Sequence, residues 1–543
     1  MKKIYALLTA LLLTIAAMAQ TLNVQVGSVT YLFPASQCGE MTYTDGTTLT
    51  IMNKAFTLSD ISAMTVDETE VTDGTIGVVY DGTSAKVTVA GNVAQYVTPT
   101  VSGAHVSIAQ SSDLAEEITY TLSGSSSDGE FYTSGSYKAT IELNGLTLTN
   151  ATPVYSGAAV HVQNSKRIKV KIVTGTTNTL SDASTGSQKG CLYIKGHAEF
   201  AQKGTLNVTG NVKHGIKAGE YISLKNATIN VTSAVGDGIN CCQFFQMESG
   251  EINISGTDDD GIQCDLEGDT STGETTDHED EDSGNIYISD GTVNITCTAT
   301  AAKGIKCDGD MNISGGTISV TTSGNNGEGI ESKNNLNITG GHITVNSYDD
   351  AINSAQDMTI EGGYVYAHAT NNDGIDANGN CYIKGGVVYA IGASSPEVAI
   401  DANSEEQKKL YITGGTVIAV GGLESGASIS GGTCKSVSSW TASSWHALYN
   451  GSDLALAFKT PASSSSGGNQ GGNQGGGPGG NQGGSSQQLV VYTTSTPSLK
   501  SGVTISGGTE YFGGMANIGC TVSGGSTVTL STYSGGNSGP GGH

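Results

Sequence analysis

Acidic residues recur at a nearly fixed interval through the middle of this 543-residue chain. Asp237, Asp260 and Asp373 each stand directly before Gly-Ile, Asp350 stands before Ala-Ile, and Glu328 holds the same place before Gly329-Ile330. His214 and Lys303 take that place in two other copies. Asp259 and Asp349 lie one residue earlier, with Asn372 in the corresponding place. Just past the Ile come Asn240, Gln263, Lys306, Glu331, Asn353, Asp376 and Asp401. Carboxylates mixed with amides form an oxygen-only donor set, and such a set suits Ca²⁺, which takes six to eight oxygen ligands, several of them anionic. A lone Asp-Gly is also ordinary turn chemistry, because an Asp side chain readily bonds nearby backbone. Paired Asp-Asp at one place in two repeats favours the ion.

Two groups of candidate ligands follow. The first is Asp237, Asp259 and Asp260, with Gln263 and Asp265 beside them. The second is Glu328, Glu331, Asp349, Asp350 and Asn353, leading on to Asp373, Asp376 and Asp401. If these positions stack about 5 Å apart, like charges repel and the acids hold their protons unless a cation sits between them. The acidic run from Glu274 to Asp282 reads as a solvated excursion.

Stacking requires a repeat, and the chain has one. The phrase ending in Ile216, Ile239, Ile262, Ile305, Ile330, Ile352, Ile375 and Ile400 returns every 22 to 25 residues, apart from one step that holds the acidic insertion. Gly-Gly pairs beginning at Gly315, Gly340, Gly362, Gly385 and Gly414 keep the same phase. Between these markers apolar residues alternate in short runs, such as Met311/Ile313 and Ile318/Val320, or Leu336/Ile338 and Ile343/Val345. Period-two alternation broken by Gly and Asn means strands. Three such runs per unit predict an all-β parallel β-helix with three strands per coil. Inward side chains then form columns. The Ile is one, and Ala218, Cys241, Cys264, Cys307, Ser332, Ser354, Ala377 and Ala402 form another, of small residues. The ten Cys therefore fit core packing, and their disulfide state stays open.

The ends differ from the repeat. Residues 1–19 combine two lysines, an apolar run and Ala17-Met18-Ala19, the pattern of a signal peptide. Residues 20–85 read as a separate β-rich element, 86–425 as the β-helix, and 426–543 as a C-terminal β cap. That cap holds a Gly/Ser/Asn/Gln tract over 463–488, flexible by composition. An exported monomer without membrane insertion is expected, since no run past the leader has the roughly 20 apolar residues of a spanning helix. A net charge of −26 excludes nucleic acid as a direct partner. No G-x-S-x-G, H-E-x-x-H, C-x-x-C or Walker loop is present. Outward tyrosines are a second candidate feature. Tyr366 and Tyr389 should stack, and Tyr382 and Tyr411 should share a slot on the neighbouring face, offering aromatic faces to sugar rings.

Three stretches carry a family likeness: Ile141-Glu-Leu-Asn-Gly-Leu-Thr-Leu-Thr149, Thr174-Gly-Thr-Thr-Asn-Thr-Leu-Ser-Asp182, and the Asp-Gly-Ile and Ile-x-Gly-Gly repeats. Over roughly residues 85 to 530 the chain resembles the clostridial carbohydrate-binding β-helix proteins, which are themselves similar to family 9 pectate lyases. The resemblance implies a right-handed β-helix, calcium on the coil edge, and a uronate-containing or cellulosic polysaccharide as partner. The lyases use an Asp-Asp-x-x-Asp calcium cluster, an Asp from the preceding coil, and a Lys base. Asp259-Asp260 and Asp349-Asp350 match the first two positions, and Asp237 and Glu328 the preceding coil. Gln263 or Asn353 replaces the last Asp, and Lys303 or Lys306 stands where a base is wanted. A secreted, Ca²⁺-dependent, non-catalytic polysaccharide binder is the leading reading. A Ca²⁺-dependent pectate lyase and an adhesin or surface stalk are the alternatives.

Overall fold

The computed structural model describes residues 20–266, 282–437, 439–462 and 487–535. The expected leader, most of the acidic insertion and nearly all of the Gly-rich tract lie outside them. The chain forms a parallel β-solenoid of about 12 turns, with small sheets at the ends. It divides into two compact units, one running to Phe244, the other from Phe245 to Leu266 and again from Ser283 onward.

In the second unit each turn contributes three short strands. The first face holds Ile262–Cys264, Ile305–Cys307, Ile330–Ser332, Ile352–Ser354 and Ile375–Ala377, each hydrogen-bonded in parallel to its neighbour. The second face runs from Asn285–Ile288 through Met311–Ile313, Leu336–Ile338, Met358–Ile360 and Cys381–Ile383 to Leu410–Ile412. The third holds Thr292–Cys297, Thr317–Thr322, His342–Ser347, Tyr364–Ala369, Val387–Ile391 and Thr416–Val420. Because side chains alternate across a strand, the expected columns form. The Ile column from Ile262 to Ile400 is fully buried, as are Cys264, Cys307, Ser332, Ser354, Ala377 and Ala402. Each buried Ile contributes about 2 kcal/mol. All ten cysteines are buried, and none is in a disulfide.

Two glycine positions explain the recurring phrase. A Cβ on Gly329 would meet Val345 Cγ1 at 2.0 Å and the Ala351 carbonyl oxygen at 2.5 Å, so the turn packs directly on the residue opposite. Gly341, the second of its Gly-Gly pair, has φ +91°, a conformation that L side chains rarely adopt.

The first unit repeats the plan less regularly. Its first face holds His105–Gln110, Glu130–Ser134, Val160–Val162, Gly190–Ile194 and His214–Ala218. Upstream strands join another sheet of this unit, where Thr75–Asp81 pairs in parallel with Ile118–Ser126.

On the third face the parallel order ends at Thr416–Val420. Leu489–Thr493, from beyond the Gly-rich tract, pairs antiparallel with both that strand and Thr433–Val437. A six-stranded antiparallel sheet follows, built from Trp445–Asn450, Asp453–Lys459, Pro497–Ser506, Thr509–Tyr511, Ala516–Ile518 and Thr521–Thr527. It covers the outer side of the third face, where Leu448, Leu456, Phe458, Leu499 and Phe512 pack with Tyr366, Tyr389, Ile391 and Ile418. Among the described residues no helix is long and apolar enough to cross a membrane.

Candidate functional site

Register turns the scattered acids of the second unit into ladders. Lys306, Glu331, Asn353 and Asp376 are successive partners on the first face. Asp401 follows, its neighbour Ile400 bridging Ile375, and Glu424 extends the column beside Leu423, which bridges Ile400. The second ladder, two residues before the column Ile, holds Asp260, Lys303, Glu328, Asp350 and Asp373.

Each Asp of this second ladder has a structural duty. Asp260 Oδ1 accepts the backbone N–H of Lys303 at 2.7 Å, Asp350 Oδ1 that of Asp373 at 2.9 Å, and Asp373 Oδ1 that of Val398 at 2.5 Å. One oxygen ties a turn to the next. The other faces the neighbouring ladder, where Asn353 Nδ2 donates to Asp350 Oδ2 at 3.3 Å and to Asp376 Oδ2 at 2.9 Å.

The ladders fall into two electrostatic stretches. In the earlier one, lysines neutralise the acids: Lys306 lies 3.6 Å from Asp260, Lys303 lies 3.3 Å from Glu328, and Lys333 pairs with Glu331. Even so, Glu328 Oε2 and Glu331 Oε2 are buried without a hydrogen-bond partner. Burial, then the Glu331 charge, pushes Glu328 up to about 7. In the later stretch, among the described residues, no lysine or arginine forms an ion pair with Asp350, Asp373, Asp376, Asp401 or Glu424. Burial first, and the neighbouring acids second, raise Asp350 to about 9 and Asp373 to about 8. Burial also raises Asp376, to about 6, although its hydrogen bond with Asp401 pulls the other way. Asp401 is pushed well above the usual carboxylate range by burial and by the hydrogen bond it shares with Glu424. Without a counter-charge, burial and mutual repulsion favour the protonated forms of these groups.

Carboxylate oxygens of Asp373, Asp376 and Asp401 all lie within 4.8 Å of one another. Ca²⁺–O bonds of about 2.3–2.6 Å place opposed ligands about 5 Å apart, so this spacing and donor chemistry fit a calcium ion. Three carboxylates also leave several of its six to eight positions open.

The remaining candidates are placed as follows. In the first unit, Asp237 is buried, its Oδ2 3.2 Å from His214 Nδ1 and 2.6 Å from Asn240 Nδ2. In the second, Asp259 is exposed beside buried Asp260. Asp265 and Asp308 contribute charge around Lys306. Burial alone would lower the Lys306 ammonium, but Asp260, Glu331, Asp265 and Asp308 together raise it. A general base needs the opposite shift. Tyr382 and Tyr411 stack at 5.1 Å with rings 11° apart, half-exposed. Tyr366 and Tyr389 pair in register as expected. They point outward from the solenoid, but the C-terminal sheet buries them, and Tyr389 Oη donates to the Lys459 carbonyl at 2.8 Å. Neither is the open platform that the sequence suggested.

Two features escaped sequence reasoning. Glu424 follows Leu423, not an Ile, so the phrase that flags the column is broken there. In the first unit, Tyr132, His161 and Tyr193 occupy the same register position that carries acids in the second. His161 meets the two tyrosines edge-on at 4.7 and 4.9 Å, and Tyr155 stacks on Tyr132 at 5.5 Å. Their spacings, 29 and 32 residues, fall outside the regular period.

A family described as carbohydrate-binding domain-containing protein matches residues 102–374, half of the chain. The chain belongs to this family. No curated relative matches it. Among solved structures, the chain is similar to a polysaccharide lyase-like protein from C. thermocellum, in its gadolinium derivative. The two are 20% identical with a TM-score of 0.38, over 49% of this chain and 96% of that one. In this carbohydrate-binding protein the matched span ends at Gly374, so it takes in Asp350 and Asp373 but not Asp376, Asp401 or Glu424.

Proposed function

We propose that the protein is an exported, non-catalytic polysaccharide binder in which Ca²⁺ on the later stretch of the ladder bridges the chain to an acidic glycan such as polygalacturonate. Asp373, Asp376 and Asp401 would hold the ion, and uronate carboxylates would fill its open positions. The observation that carries this reading is the contrast between the two stretches. Where lysines supply positive charge the acids are paired, and where, among the described residues, no lysine forms an ion pair, three carboxylates converge, Asp373 buried and Asp376 and Asp401 half-buried. Burying several acids together without a counter-ion is costly, and a dication removes that cost. A strongly anionic surface would otherwise repel a polyuronate.

The test is retention on immobilised polygalacturonate with Ca²⁺ and with a chelator, for wild type and Asp376→Asn. Calcium-dependent retention lost in the variant is expected. Equal retention in chelator would sink the bridging mechanism.

A further inference from the structure

On the outer side of the third face, side-chain size rises from one turn to the next. Thr317, His342 and Tyr364 share one register position, Ser319, Thr344 and Tyr366 the next, and Thr321, Asn346 and His368 the third. Hydroxyls thus give way to rings over three turns. The C-terminal sheet rests on the rings, with Tyr511 stacked on Tyr364 at 4.5 Å and Phe512 on Tyr366 at 5.5 Å. Over the shorter side chains the same segment overhangs a groove of about 640 Å³. That volume is typical of ligand sites, which span about 300–1,000 Å³.

We propose that this groove binds a neutral hexopyranose segment of a glycan chain. Its floor is Ser319, Thr344 and Asn346, a row of hydroxyl and amide groups able to exchange hydrogen bonds with sugar hydroxyls. Its aromatic end is Tyr511 with His342, ring centroids 5.2 Å apart. Such rings offer an apolar face to the C–H side of a pyranose and a polar edge to its hydroxyls. The charge of the lining selects against acidic sugars. No Lys or Arg lines the groove among the described residues, and the rim carries the exposed carboxylate of Glu510. Burial lowers the His368 pKa and keeps that imidazole neutral. A peptide strand is also disfavoured, because the floor strands are already hydrogen-bonded on both sides and offer no edge.

This inference rests on membership of the carbohydrate-binding family and not on the calcium bridge, and the two can fail separately. The full chain is titrated calorimetrically with cellohexaose and with mannohexaose in the presence of chelator. One of the two should bind. Ser319→Tyr, which fills the floor from an exposed position, and Asn346→Ala should each weaken that binding about tenfold or more, with thermal midpoints unchanged. Calcium-dependent retention on polygalacturonate should survive in both variants. Asp376→Asn should do the reverse, losing polygalacturonate and keeping the neutral oligosaccharide. Absence of binding to both oligosaccharides, or undiminished binding by Ser319→Tyr, overturns the groove proposal and leaves the calcium reading standing.

Discussion

The carboxylate of Asp350 accepts the backbone N–H of Asp373, its counterpart one turn on, at 2.9 Å, while its second oxygen faces Asn353. Asp350 therefore has one oxygen committed to the scaffold and one turned towards the neighbouring ladder. An amide preserves the first and removes the charge of the second. Asp350→Asn and Asp373→Asn should fold with thermal midpoints near or above wild type. Asp373→Asn, which changes a proposed ligand, should lose calorimetric Ca²⁺ binding by tenfold or more. Asp350→Ala leaves the Asp373 N–H buried without an acceptor and should cost about 1–3 kcal/mol. An Asp373→Asn variant that binds Ca²⁺ like wild type would remove Asp373 from the ion site.

The same burial sets an unusual pH dependence. Asp350 at about 9 and Asp373 at about 8 sit far above the ordinary Asp value near 4. For an acid raised on folding, the unfolded chain ionises first. Stability is then full below pH 4 for that group and is lost as pH rises towards 8 to 9. In chelator the thermal midpoint should fall between pH 5 and pH 8. Saturating Ca²⁺, which favours the ionised form, should flatten that fall. Calcium binding at neutral pH should also release protons, read as a heat that depends on the buffer's ionisation enthalpy. A midpoint that rises with pH in chelator would contradict this electrostatic account.

The ladders were legible in sequence because a turn of 22 to 25 residues converts periodicity directly into adjacency. That is why Asp350, Asp373, Asp376 and Asp401 could be grouped before any coordinate. The burial of Tyr366 and Tyr389 was not legible. Outward position followed from alternation, but what lies outside depends on a segment some hundred residues later folding back, and no local pattern encodes that contact. The split of the ladder into lysine-neutralised and lysine-free stretches lay between these extremes. Lys303 and Lys306 were visible, but as candidate bases. Only their distances to Glu328 and Asp260 reveal counter-ions.

Those distances bear on catalysis. Four carboxylates hold the Lys306 ammonium protonated, and Lys303 is paired with Glu328 at 3.3 Å. Lys306 is therefore not poised to take a proton near neutral pH, and the Lys303 ammonium is engaged with a carboxylate. Incubation with polygalacturonate and Ca²⁺ should produce no rise in the absorbance of unsaturated products. A rise abolished by Lys306→Ala or Lys303→Ala would restore the lyase reading.

The core makes a prediction independent of any ligand. Gly329 lies against Val345, so Gly329→Ala drives a methyl group to 2.0 Å from Val345 Cγ1. Overpacking of this kind costs about 1–3 kcal/mol. One turn later the chain carries the alternative solution: Ala351 replaces the glycine, and Ala367 stands in register with Val345. Paired changes that conserve volume are tolerated best. Val345→Ala alone opens a void and should cost about 2 kcal/mol. The double variant reproduces the neighbouring turn and should recover much of the combined loss, with a coupling of about 1 kcal/mol or more in a double-mutant cycle. The Ala351 carbonyl, 2.5 Å from the same added atom, limits that recovery. Strictly additive losses, measured by denaturant unfolding, would mean that the carbonyl and not Val345 enforces glycine at position 329.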